Sequence, residues 1–231
     1  MYGMPWLIRL AQAPGPSPKF WKGERRGRVE YPPLSFIGGQ VSEKGYYFVG
    51  FFVSMFIYMA IAAISKHAGI PGVETLAQLL ITLALVRIFP ESDPGLGWGH
   101  RALRVLSLTS LGLCAVWTFG FWIWTTHSSS FDWQWMVILP VLGILVVTPW
   151  FEEKLVRHLL LHSIDGLLGR LVSTLVVSVL FAYAHKGVMI WAFIVSITLC
   201  WLRYTFKAKT AHCVIVHGTI NAYVMLLYMI W

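Results

Sequence analysis

Apolar runs follow one another from about residue 46 to the C-terminus, at about 46–65, 73–89, 103–125, 134–162, 168–185, 188–206 and 211–230, with short polar stretches between them. At about 1.5 Å of rise per residue, such runs match the roughly 30 Å of hydrocarbon in a bilayer. Backbone groups in lipid must be paired within a segment or in a closed barrel, and these runs are too continuously apolar for barrel strands. The pattern predicts an all-α, polytopic membrane protein of about seven transmembrane helices. Pro140 and Pro149 fall in the long fourth run. A kink or restart is expected there, because proline lacks an amide hydrogen and crowds the preceding turn.

Composition agrees with the pattern. Of 231 residues, 57% are hydrophobic and 12% charged, where a soluble domain carries about 25% charged residues. Residues 46–231 are therefore read as a single transmembrane domain with no room for a soluble one. Residues 1–45 hold seven of the eighteen Lys and Arg residues together with many Pro and Gly, which reads as a basic cytoplasmic tail. Met1 to Ala13 lacks the organisation of a signal peptide. The net charge of +8 does not point to nucleic acid, because the cations sit at the ends of apolar runs, where they set orientation.

With the N-terminus in the cytoplasm, Arg87, Arg101, Arg104, Arg170, Arg203, Lys207 and Lys209 share the cytoplasmic face. Lys66 and Lys186 are left opposite, and the C-terminus lies outside. Trp98, Trp133, Trp135 and Trp150 read as interfacial anchors. Cys114, Cys200 and Cys213 lie in apolar runs without C-x-x-C spacing, so neither a disulfide framework nor a thiolate metal site is expected. Lys154, His158 and His162 read as cations at a cytoplasmic helix end, and Asp165 as a cap on the turn that follows. For His67, His100, His127 and His212, near loops or helix starts, exposure is the default.

The second half of the chain carries polar residues that lipid alone would not tolerate. A carboxylate costs roughly 2.5 to 3.5 kcal/mol or more at the bilayer centre, yet Glu152 and Glu153 are adjacent at the end of an apolar run. Glu153 and Arg157 are four apart, the spacing and order of a helical ion pair. Glu152 lies about 100° around the helix without that partner, which suits it to general base work. Phe181 and His185 close the fifth run, and His217 and Asn221 share a face of the last. Each group alone has a structural reading: an ion-pair cluster, an interfacial histidine, an interhelical hydrogen-bonding pair. Together, a carboxylate, two imidazoles and an amide on three helices are the parts of a hydrolase. A turn near residues 164–168 would bring Glu152 and His185 to similar heights, roughly 18 to 26 Å above it.

Glu152-Glu153-x-x-x-Arg157, Phe181-x-x-x-His185 and His217-x-x-x-Asn221, in this order over roughly residues 140–230, resemble the CAAX protease and bacteriocin-processing family of intramembrane glutamic endopeptidases. The resemblance implies a four-helix protease core, here about 134–231, around a polar cavity. It implies that Glu152 and His185 activate water, that His217 and Asn221 stabilise the oxyanion, and that Glu153, Arg157 and Phe181 support the site. It implies no cofactor and no metal. The partners would be the lipid bilayer and a membrane-anchored or lipidated protein or peptide substrate, and a prokaryotic plasma membrane fits such a member. Val156 and His158 stand where many members have an aromatic and a glycine, which bears on substrate class.

Other chemistries have less support. H-E-x-x-H and G-x-S-x-G are both missing, while zinc held by Glu152, His185 and His217 remains chemically possible. The competing class is a non-catalytic membrane protein, a proton or cation carrier or a scaffold, that uses the same ionisable cluster.

Overall fold

The structure, a computed structural model, describes residues 43–70, 72–91, 95–124 and 141–230. The chain divides into two units, Met1–Gln40 and Val41–Trp231. The expected basic tail and Pro140, His127, Trp133 and Trp135 lie outside the described residues.

Helix α1 spans Glu43–Ala68, with Glu43 in its first turn and Lys66 and His67 in its last, each complementing the helix dipole. Helix α2 is Val73–Ile88 and α3 is His100–Trp124. A continuous helical run then extends over Gly143–Ala184, 42 residues long, broken at Gly169, whose φ of 73° and ψ of 162° suit glycine. The chain reverses at this break. The Arg157 guanidinium lies over the Phe181 ring at 4.4 Å, and Leu160, Leu161 and Ile164 pack with Val177. Residues 24 apart on a straight helix would be about 36 Å apart. The two limbs are called α4 (143–168) and α5 (170–184); α6 is Met189–Phe206 and α7 is Thr210–Ile230.

The fold is all-helical among the described residues, and five stretches are long and apolar enough to cross a membrane. Seven were expected. The difference has two sources: α2 has 16 residues, about 24 Å of helix, and Gly143–Ala184 is one run by length although it doubles back.

Polarity is distributed for a lipid solvent. Phe56, Leu167, Leu171 and Ile190 are at least 72% exposed, whereas Glu153, Lys154, Arg157, His158, His212 and His217 are buried. In water this arrangement would leave a large apolar surface; in a bilayer the interior is where polar groups can find partners. Ser173, Ser178 and Ser196 are fully buried, small residues that let helices approach closely. One apolar core joins α3, α6 and α7 through Leu106, Leu113, Leu199, Leu202, Val216 and Ile220. Another joins α2 and α4 through Leu85, Phe151, Leu155 and Leu159, with Phe89 just beyond α2 and α1 side chains packed on it.

The expected disturbance at Pro149 is a wide, π-helical turn at Gly143–Val147 that precedes the α-helical Thr148–Glu153. The Thr148 amide donates to the Gly143 carbonyl, five residues back. In that register the Ile144 carbonyl faces residue 149, a proline with no hydrogen to give. Helix α7 compensates: Asn221 Nδ2 donates to the Ile144 oxygen at 3.0 Å. Gly218, one turn earlier, makes the approach possible, since a Cβ there would sit 2.5 Å from the Leu145 oxygen. Proline, glycine and asparagine thus fix α7 against α4 just ahead of Glu152.

Candidate active site

The three sequence motifs converge. Glu153 on α4 pairs with Arg157 one turn on, Oε1 to Nη1 at 3.1 Å, and both side chains are inaccessible. His217 from α7 donates its Nδ1 hydrogen to the same Glu153 oxygen at 2.9 Å. Its other ring nitrogen, Nε2, faces Glu152 Oε2 at 3.7 Å. From the end of α5, His185 brings Nε2 to 3.8 Å from Glu152 Oε1. Both distances exceed a hydrogen bond. Glu152 is therefore flanked by two imidazoles and bonded to neither, with 21% of its side chain accessible and that of His185 29%.

Local structure sets the tautomer of His185. Its Nδ1 lies 2.8 Å from the Phe181 carbonyl, an oxygen that only accepts, so Nδ1 carries the hydrogen and Nε2 is the nitrogen turned toward Glu152. The residue ends α5 with φ −106° and ψ 56°, outside the helical region, which frees the ring to lie across the helix end. Phe181 lies between the groups, its ring 4.4 Å from that of His185, 6.0 Å from that of His217 and 4.4 Å below the Arg157 guanidinium. A cation over an aromatic face is attracted by the ring quadrupole. This contact helps hold a guanidinium whose Nε and Nη2 find no hydrogen bond among the described residues.

Asn221 is on the same helix as His217, one turn further, but one of its amide hydrogens is given to Ile144. The second hydrogen has no recorded partner among the described residues. No group of three or more His, Cys, Asp or Glu side chains among the described residues is arranged to hold a metal ion.

A second polar cluster, which the sequence reading missed, begins on the next residues of α4. Lys154 and His158 were expected as cations at a cytoplasmic helix end; both are buried. Lys154 Nζ donates to the Phe89 carbonyl at 2.6 Å, and His158 Nδ1 lies 3.0 Å from Glu91 Oε1. Glu91 also receives Arg203 Nη1 at 3.1 Å, and the Thr210 amide and hydroxyl at 3.0 and 2.6 Å. The carboxylate thereby caps α7 from another element. Burial opposes its ionisation, yet the hydrogen bond from His158, the Arg203 charge and the Thr210 hydroxyl prevail and hold it well below the usual carboxylate range. His212, expected to be exposed, is fully buried. It stacks on Trp98 at 4.2 Å and accepts the Lys209 amide hydrogen at 3.0 Å, closing the first turn of α7 in the manner of a capping box. Asp and Glu are scarce in this chain, and that scarcity was the available signal: an acidic residue just beyond α2 had cations of α4 and α6 to answer.

Residues 133–223 match the family model described as type II CAAX prenyl endopeptidase, Rce1-like. This segment is similar to the CAAX prenyl endopeptidases. The match runs from Glu152 through Asn221 and leaves α1, α2 and α3 outside it. No curated protein and no solved structure matches the chain significantly. The protein is an integral membrane protein, and a segment of it is similar to a protease family.

Proposed function

We propose that this protein is a glutamic-type intramembrane endopeptidase that cleaves a peptide bond near the membrane boundary of a lipid-anchored substrate, a prenylated C-terminal tail being the first candidate. The family match supports peptide hydrolysis in a membrane. The observation that carries the mechanism is Glu152: a partly accessible carboxylate inside an apolar fold, with imidazole nitrogens at 3.7 and 3.8 Å and a hydrogen bond to neither.

In this reading a water bound to Glu152 and to Nε2 of His185 is the nucleophile. Its oxygen attacks the peptide carbonyl carbon while its proton passes to Glu152. The carbonyl oxygen becomes an oxyanion facing α7, where Asn221 has a second amide hydrogen and a protonated His217 would donate from Nε2. Glu152 then returns the proton to the amide nitrogen, the carbon–nitrogen bond breaks, and a carboxylic acid and an amine form, the acid passing its remaining proton to the amine as they leave. Glu153 and Arg157 hold His217 through Nδ1 and act as supports. The protease core occupies about 134–231 of a single membrane domain whose N-terminus is cytoplasmic and whose C-terminus is outside, in a prokaryotic plasma membrane.

The test is cleavage of an internally quenched, farnesylated C-terminal peptide by purified protein in liposomes. The expected result is hydrolysis by wild type, with or without a strong chelator, and none by Glu152→Gln. Loss of activity in chelator would replace the mechanism with a metal-dependent one. Equal activity in Glu152→Gln would remove Glu152 as the base.

A further inference from the structure

The helices outside the family match reach the site. Phe151, adjacent to Glu152, packs on the Tyr58 ring of α1 with centroids 4.8 Å apart. Thr148, one turn before Glu152 and on the same face, donates its hydroxyl to Gln78 Oε1 at 2.8 Å. That bond fixes the amide of Gln78, which is buried on α2, so that Nε2 points to the Tyr58 hydroxyl and donates to it at 3.1 Å. A second bond, from Thr82 Oγ1 to the Gln78 carbonyl, ties down the same turn of α2. The sequence of donors runs in one direction, from Thr148 to Gln78 to Tyr58.

Its consequence lies in the last hydrogen. A phenol oxygen that accepts from Gln78 keeps its own hydrogen to give. Among the described residues no acceptor is recorded for it. Tyr58 is half-buried, and its ring lies against Phe151, the residue before Glu152. The α7 side of the site is short of donors by comparison: His217 spends its Nδ1 hydrogen on Glu153 and Asn221 spends one amide hydrogen on Ile144.

Resting on the protease reading above, we infer that Tyr58 is a further catalytic residue: its hydroxyl, aimed by Gln78 and Thr148, donates a hydrogen bond to the substrate carbonyl oxygen as it becomes an oxyanion. No covalent step is added, and the hydrogen stays on the phenol. Chain-specific helices thereby complete a site whose other groups come from the family segment. Gln78 and Thr148 are positioning residues, acting through Tyr58.

Tyr58→Phe keeps the ring on Phe151 and removes only the hydroxyl. In liposomes with the farnesylated quenched peptide, kcat should fall about 100-fold with KM and the thermal midpoint close to wild type. Gln78→Leu should lower kcat by less, since it frees the hydroxyl to rotate without removing it. Wild-type kcat in Tyr58→Phe overturns the inference while leaving the protease reading standing. So does a variant whose loss follows its thermal midpoint or appears in KM alone, because that marks a packing role. Cleavage by wild type that Glu152→Gln does not reduce, or no cleavage at all, removes the protease reading and this one with it.

Discussion

Glu91 and Glu152 are carboxylates at opposite ends of a network strung along one stretch of α4, and their surroundings differ. Glu91 takes hydrogen bonds from Arg203 and both donors of Thr210, with His158 Nδ1 3.0 Å away. Glu152 has two imidazoles nearby and a hydrogen bond to neither, and its Oε2 is buried with no hydrogen-bond partner among the described residues. A carboxylate whose lone pairs are filled is held in its charged form and has nothing left for a reactant. A desolvated and unfilled one is costly to keep, which is the condition in which a group can bind and activate water. The comparison separates a buried charge that ties helices together from one held ready for chemistry, although both belong to the same polar interior.

The largest effect should come from Glu152. Glu152→Gln should lower kcat by about 10³-fold or more with little change in the thermal midpoint, since no hydrogen bond is lost; a large loss of stability would move Glu152 to the structural side of the comparison. Next comes Arg157→Met, which leaves Glu153 charged and fully buried. A loss of about 3 to 5 kcal/mol is expected, read by equilibrium unfolding in mixed micelles. Gly218→Ala sharpens the picture from α7, because the new Cβ meets a backbone oxygen at 2.5 Å. The helix would have to shift, and a stability loss of about 1 to 3 kcal/mol together with lower kcat is expected; unchanged kcat would mean that the α4–α7 distance does not govern the site.

Glu91→Gln should have smaller effects. Weakening its charge-assisted bonds should cost about 1.5 to 3 kcal/mol at neutral pH with activity per folded molecule kept. Its carboxyl titrates below the usual range in the folded protein. The stabilisation is therefore complete above the ordinary carboxylate pKa and is lost as pH falls through the depressed one. Thermal midpoints measured from neutral pH down to about pH 2 should fall more steeply for wild type than for Glu91→Gln. Parallel curves would show that Glu91 is not the saturated carboxylate described.

The apolar runs were enough to place α1, α3, α6 and α7 to within a few residues, because a helix in lipid has to satisfy its own backbone and its composition records that requirement. Glu152, Glu153, Arg157, Phe181, His185, His217 and Asn221 were legible for the same reason, as polar residues where lipid tolerates few. Lys154 and His158 were read as cations at a cytoplasmic helix end and His212 as exposed, because a cation near a helix end looks alike whether it faces a headgroup or a carboxylate from another helix. Glu91 could not be recognised as their partner from its own neighbours, being 67 residues from His158 and 112 from Arg203.

By itself, then, the sequence determined the solvent, the helical class and the residues that needed an explanation, since each of those follows from local composition and spacing. Tertiary structure decided what each polar residue meets. Glu152 is open and Glu91 filled, Asn221 is engaged with a carbonyl that Pro149 leaves free, and Tyr58 accepts a hydrogen bond from Gln78. Such assignments depend on hydrogen bonds only a few ångströms long between helices distant in the chain, and no local pattern encodes them.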